Sequence, residues 1–121
     1  MSLAHADSSQ TAGLDVEMLT MMLSAVADFV TNALPPERQL QLDHEDVCPE
    51  DIVRAMCSDQ LGVQLLFIPE QYGGMGGGAF DVYKVCESLA RVDLGVAIGV
   101  LAIFLGSDPI CFAGTKEQKK R

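Results

Sequence analysis

The stretch IPEQYGGMGGGAFDVY, residues 68–83, holds five glycines in the six positions from Gly73 to Gly78. Glycine loses more backbone freedom on folding than any other residue, so a run this dense needs a physical reason. Three are open: a phosphate cradle, a dinucleotide fingerprint, or a tight corner between a buried segment and a helix. A Walker-type loop places Lys and Ser or Thr directly after its last glycine. Here Ala79, Phe80 and Asp81 follow, and an acid would repel phosphate. Gly74, Gly76 and Ala79 do match G-x-G-x-x-A, with an apolar QLLFI before them and Asp93 near the spacing of a ribose-binding acid. However, Pro69, Glu70, Gln71 and Tyr72 separate the apolar run from the first glycine, and Asp93 precedes an apolar run instead of ending a strand. A corner is the reading the residues favour on their own.

The flanks of this corner read as helices. Upstream, Leu14, Met18, Met21, Ala25, Phe29 and Ala33 recur at three- and four-residue spacing, widened by Leu19, Met22, Val26 and Val30. The pattern predicts an amphipathic helix with a broad buried face. Asp15 and Glu17 suit its N-terminal end, and Pro35 and Pro36 stop it. PERQLQLDHEDV reads as a short helix or linker. CPEDIVRAMCSDQLG reads as a helix opened by Pro49, closed by Gly62 and packed through Ile52, Val53, Met56 and Cys57. VQLLFIP is short and apolar, a strand or buried extended segment.

Downstream of the glycines, Val82, Cys86 and Leu89, with Tyr83 and Ala90 beside them, predict a third amphipathic helix, with Lys84, Glu87, Ser88 and Arg91 on its wet face. Asp93 then caps a fourth helix expected over residues 94–105, with Gly106 at its C′ position and Pro109 beyond. This helix carries no charge, so all its sides should be covered. Either the other helices wrap it or one flank meets something outside the chain. Thr115 and Gln118 form a T-x-x-Q capping box, a helix start with only about two turns after it. That pattern suggests a chain cut short.

Composition excludes several functions. The 121 residues suffice for one domain, and 49% are hydrophobic. A net charge of −9 leaves no basic face for nucleic acid beyond Lys119, Lys120 and Arg121. Cys48, Cys57, Cys86 and Cys111 form no C-x-x-C pair, and His5 and His44 lie far from any cysteine pair, so no metal site is expected. The thiols read as reduced, which points to a cytoplasmic protein. Residues 1–12 are polar and small, and read as a disordered leader rather than a targeting signal. The longest apolar run, residues 94–106, is too short to cross a bilayer.

The residues LLFIPEQYGGMGGGAFDVYKVCESLARVDLGVAIGVLAIFLGSDPICFAGTKEQKK resemble the N-terminal helical domain of the acyl-CoA dehydrogenases. IPEQYGGMG resembles that family's proline-acid-x-aromatic-glycine-glycine turn. CESLARVD resembles the helix bearing Glu-x-x-Ala-Arg, and GTKEQKKR the Gly-Thr-x-x-Gln-Lys segment leading into the next domain. The likeness covers residues 63–121 closely and residues 14–62 more loosely, in helix count and pattern. It implies an all-α fold, an orthogonal bundle of about four to six helices over residues 13–121, ending before a β-domain.

The resemblance also implies a larger parent enzyme. There a glutamate takes the α-proton of an acyl-CoA thioester, the β-hydrogen leaves as hydride to FAD, and an electron-transfer flavoprotein accepts the electrons. The parent would be a homo-oligomer, a tetramer or dimer. FAD would lie mainly outside this domain, so no catalytic or cofactor-binding residue is expected here and the chain alone should be inactive. Glu50, Glu70 and Glu87 match helix-start, turn and surface positions rather than a base. By resemblance, Ala97, Ile98, Leu101 and Leu105 line the acyl-chain pocket. The alternative from another class is a free-standing helical module that docks a partner through its apolar helix.

Overall fold

A computed structural model describes residues 13–58 and 61–120. The leader expected over residues 1–12 lies outside the described residues. Six α-helices follow in order: α1 Val16–Ala33, α2 Pro36–Glu45, α3 Glu50–Met56, α4 Ala79–Ala90, α5 Leu94–Ala113 and α6 Lys116–Lys119. Two 3₁₀ turns, Val63–Phe67 and Glu70–Tyr72, lie between α3 and α4. No strand occurs among the described residues, and the all-α bundle is the one the family resemblance implies.

The helix starts follow the side chains. The Asp15 carboxylate accepts from the Met18 N–H at 2.8 Å and Asp93 accepts from Val96 at 2.9 Å, each relieving an N–H that has no partner in its helix. Thr115 and Gln118 close the expected reciprocal box: the Thr115 N–H donates to Gln118 Oε1 at 2.8 Å and the Gln118 N–H to Thr115 Oγ1 at 3.2 Å. Between α1 and α2 the chain bends by 73° at Leu34 and Pro35.

The core runs through every helix but α6. Met22, Val26, Val30 and Leu34 meet Leu42, Ile52 and Met56, and these meet Val63, Leu66 and Phe67 with Val82, Val85, Leu89, Val96, Ala97 and Val100. α4 lies between α1 and α5, and α5 also packs on α3 and on the Val63–Phe67 turn.

Four expectations need correction. The buried line of α1 is centred on Met22, Val26 and Val30, the residues read as its margin, while Met18, Met21 and Ala25 face solvent. A methionine and a valine score alike in a periodic pattern, and a rotation of one residue cannot be read from it. On α4, Tyr83 and Ala90 are exposed, and the core positions are Val82, Val85 and Leu89, together with buried Asp81. The α-helix of α3 closes at Met56, and Gly62, at φ +62°, instead turns the chain into a 3₁₀ turn where a strand or extended segment was expected.

The fourth concerns α5, which continues through Gly106 and Pro109 to Ala113. Proline removes an N–H and is costly inside a helix when the freed carbonyl is buried. Here that carbonyl belongs to Leu105, an exposed residue, so water can take it. Ser107 Oγ bonds back to the Ile103 and Phe104 carbonyls, both at 3.1 Å. At 20 residues and a mean hydropathy of 2.0, α5 is long and apolar enough to span a bilayer by length and composition, unlike the shorter apolar run within it. Yet Val96, Ala97 and Val100 on one flank sit in the bundle core.

Gly106 lies within α5 with nothing within 4 Å of where a Cβ would stand, and its φ is not positive. Gly106→Ala should therefore stabilise the fold by about 1 kcal/mol through helix propensity. Urea unfolding checks this, and an unchanged or lower midpoint contradicts it.

Candidate functional site

The glycine corner is closed to phosphate by its own hydrogen bonds. Gly73 donates to Glu70 O at 2.9 Å, Gly74 to Pro69 O at 3.2 Å and Met75 to Leu65 O at 2.7 Å. Gly76 donates to Ile68 O at 2.9 Å and Gly77 to Leu66 O at 3.0 Å. The Gly78 N–H goes to Asp81 Oδ2 at 2.7 Å. All six N–H groups of the loop are paired within the chain, so none is aimed outward as a phosphate nest requires. Asp93, the candidate ribose acid, is occupied as the N-cap of α5. The glycines fold back over the Val63–Phe67 turn and take up its carbonyls, which is why that apolar segment needs no partner strand.

Asp81 was read only as an argument against phosphate. Its side chain is buried at 3% exposure, and Oδ2 accepts from both the Leu14 N–H at 2.8 Å and the Gly78 N–H at 2.7 Å. It joins the approach to α1 to the end of the glycine corner. Gly13 makes this possible, since a Cβ there would stand 2.5 Å from the same oxygen. No periodicity signals such a contact. A capping acid three residues after Gly78 was its only trace in the sequence.

Beside the corner lies an open cleft of about 540 Å³. Phe67, Phe104 and Phe112 form its apolar wall and Glu70, Asp108 and Cys111 its polar fringe. The Phe67 and Phe104 rings meet at 5.2 Å and 54°, a tilted packing suited to their quadrupoles. None of the four positions assigned to an acyl pocket lines this cleft.

Those four positions divide. Ala97 is 5% exposed and belongs to the core. Ile98, Leu101 and Leu105, at 58%, 36% and 64%, stand together on the opposite, outward flank of α5. Leu94 and Phe112 extend this stripe at the same three- and four-residue rhythm, with Asp108 at the intervening step. The other helices do not wrap α5 on all sides: one flank is packed and the other open. Leu94 and Phe112 could have been added from spacing alone had the helix been carried past Gly106.

Lys84 bonds Glu87 at 2.6 Å and Arg91 bonds it at 3.0 Å, and these cations hold its carboxyl below the usual range, Lys84 foremost. Such a group stays ionised and suits an ion pair on the surface of α4. Glu50 pairs with Arg54 at 3.9 Å, fully in reach of water. Burial pushes the Cys57 and Cys86 thiols up, which makes them poor nucleophiles. Among the described residues, no group of three or more His, Cys, Asp or Glu side chains could hold a metal ion. The exposed aliphatic flank of α5 can bind apolar matter.

Comparison with known proteins places these features. The profile "Acyl-CoA dehydrogenase, N-terminal domain" matches residues 17–121. An acyl-CoA dehydrogenase of Bacillus subtilis (strain 168) is 26% identical over 103 residues, covering 84% of this chain and 26% of that protein. The short-chain specific acyl-CoA dehydrogenase of Megasphaera elsdenii is 32% identical over 103 residues, covering 82% and 26%. A probable mitochondrial medium-chain specific acyl-CoA dehydrogenase 2 of Caenorhabditis briggsae is 31% identical over 98 residues, covering 81% and 23%. The chain thus spans about a quarter of the length of the curated relatives it matches. No solved structure matches.

Proposed function

Because the chain belongs to the acyl-CoA dehydrogenase family through its N-terminal domain, we propose that it is the helical domain of an FAD-dependent enzyme that oxidises acyl-CoA thioesters between their α and β carbons. Within that enzyme its task is to wall the acyl chain. The observation that carries this reading is the open flank of α5, where Ile98, Leu101 and Leu105 present three branched aliphatic side chains in a row with no charge among them. An acyl tail has no hydrogen-bonding group, and an apolar wall binds it by excluding water. Ala97, one turn edge away and packed inward, would shape the wall by being small rather than by touching the tail.

The described residues do not fit FAD itself. Its diphosphate needs free backbone N–H groups or cations, and the glycine corner has every N–H paired internally. FAD supplies the redox chemistry when bound in such an enzyme, and on this reading other segments of the parent hold it and provide the base. This chain's residues orient the tail and keep water from it. The electron acceptor is then an electron-transfer flavoprotein, the parent is a homo-oligomer, and four unpaired thiols suit a reducing, cytoplasmic setting.

The test is to express the whole open reading frame that contains this chain. It should purify with flavin and reduce an acceptor dye when given acyl-CoA. Leu101→Ala should raise KM for a long-chain acyl-CoA about tenfold, the scale of lost apolar contact in a pocket, and leave KM for a very short chain nearly unchanged. A colourless product with no acyl-CoA-dependent dye reduction would overturn the reading. An equal effect of Leu101→Ala on both chain lengths would remove α5 from the pocket.

A further inference from the structure

Behind its open flank, α5 rests on α3 through a residue that has no side chain. A Cβ built at Gly99 would stand 2.6 Å from Val53 Cγ2 and 3.6 Å from Val53 Cγ1. One turn earlier, a Cβ at Gly95 would meet Pro49 Cδ at 3.8 Å. Gly95 and Gly99 are four residues apart on α5, and Pro49 and Val53 are four apart at the start of α3. Residues at that spacing share one helix face, so the backbone of α5 lies directly on side chains of α3.

Val53 has little room to yield. A β-branched side chain in a helix keeps one strongly preferred χ1 rotamer. The Val53 N–H donates to the Pro49 carbonyl at 3.0 Å, and its carbonyl accepts from the Cys57 N–H at 3.1 Å. Ile52 and Met56, on either side of it in α3, are buried in the core. α3 is therefore a fixed stop behind α5. This contact is internal to the helices and does not depend on what a longer protein places against them.

The stop bears on the acyl wall. Two residues along an α-helix is a rotation of about 200°. Gly99 and Leu101 thus face nearly opposite ways, the one toward Val53 and the other outward. Val96 and Val100 are wholly buried and block any shift into the core. Carbon atoms in ordinary contact stand about 3.5–4.0 Å apart. A methyl group at Gly99 must therefore open the contact with Val53 by about 1 Å, and the open flank is the side that takes up the shift. How closely α5 approaches Val53 sets how far Leu101 projects.

On the reading of that flank as the acyl wall, we propose that Gly99 and Val53 are positioning residues that set the width of the acyl slot at Leu101. Neither needs to touch the tail. Through Leu101 they govern how well the parent enzyme tells a straight acyl tail from one with a methyl branch.

The test uses the whole open reading frame and measures kcat/KM for acyl-CoAs of equal carbon number. One is straight, and the others carry a single methyl branch beyond the β carbon. Gly99→Ala narrows the slot and should lower the branched-to-straight ratio about tenfold, the scale of one methylene in a filled pocket. Val53→Ala removes the stop and should raise the same ratio about threefold, since the site collapses only partly around the lost methyl groups. The two substitutions together should bring the ratio back to within about twofold of the unsubstituted enzyme, because residues in contact are coupled. A merely structural role would lower Tm and yield in each variant but would not move a selectivity ratio in opposite directions. If Gly99→Ala fails to fold, Val53→Ala decides alone, and an unchanged or lower ratio overturns the proposal. Ratios that stay fixed, that move the same way in both single variants, or that are not restored in the double variant also overturn it, with the dehydrogenase reading intact. An unsubstituted protein without flavin or acyl-CoA-dependent dye reduction overturns that reading, and the positioning role with it.

Discussion

Replacing Asp81 with alanine should lower the unfolding free energy by about 3 kcal/mol, because it removes the acceptor of two part-buried donors at once, and a hydrogen bond to a charged acceptor contributes about 1.5–3 kcal/mol. The Leu14 and Gly78 N–H groups, at 2.8 and 2.7 Å from the same oxygen, have no other partner among the described residues. The carboxylate also sits in the first turn of α4, where a negative charge is favoured by the helix dipole. For a domain of this size the loss corresponds to a fall in Tm on the order of 10 °C. Asp81→Asn should fall between, at about 1–2 kcal/mol, since an amide oxygen can still accept but its NH₂ enters a buried place. Chemical denaturation gives the totals. Amide hydrogen exchange gives the mechanism, with Leu14 and Gly78 speeding up more than amides in the middle of α1. A change of less than about 0.5 kcal/mol for Asp81→Ala, the range of ordinary surface substitutions, would show that this contact is not structural.

That residue also marks where sequence reading reached its limit. The helices of this chain were legible because apolar spacing and end-capping residues are local signals. Asp15, Asp93 and the Thr115–Gln118 pair each act within three residues of themselves; Asp93 and the Thr115–Gln118 pair cap as expected, and Asp15, expected only to match the helix dipole, caps as well. Asp81 acts across 67 positions of sequence to reach Leu14, and no window of one helix contains that information. The rotation of α1 was missed for a related reason. Its apolar residues cover more than half the circumference, and which part is buried depends on where α4 lies. Pro109 misled because a local rule was applied without its condition: proline ends a helix where the lost bond matters, and the Leu105 carbonyl faces water.

The candidate site was half legible. An uncharged helix announced that apolar surface had to be covered, and the open flank bearing Ile98, Leu101 and Leu105 is that surface. Sequence could not divide the helix into its packed and open sides, because both are built of the same residue types. Val100 and Leu101 are neighbours of like hydrophobicity, yet one is wholly buried and the other among the exposed residues. The division comes from α3, α4 and the Val63–Phe67 turn, which all pack against one side of α5.

The glycine corner supplies the second large effect. Gly77→Ala should destabilise the domain by about 3 kcal/mol or more, at the upper end for overpacking a filled core. A Cβ at Gly77 would stand 2.5 Å from Leu66 Cδ1 and 2.7 Å from the Leu66 carbonyl oxygen. Leu66 is wholly buried and cannot swing away, and its carbonyl is the acceptor for Gly77's own N–H. Gly74→Ala meets the Ile68 backbone in the same way and should cost as much. Gly73 differs. It has open space around it, but its φ is +86°, so alanine there adds only the strain of a left-handed backbone, about 1–2 kcal/mol. The midpoints in urea should therefore rank Gly73→Ala above Gly77→Ala and Gly74→Ala. Equal losses at all three would mean that flexibility, not close approach, is what the loop requires. The expected ranking follows from how the corner is built: the chain lies directly against the Val63–Phe67 turn so that its N–H groups reach that turn's carbonyls, and a side chain at Gly74 or Gly77 would hold the two backbones apart. The density of glycine then reflects contact between two stretches of main chain, with no phosphate required to explain it.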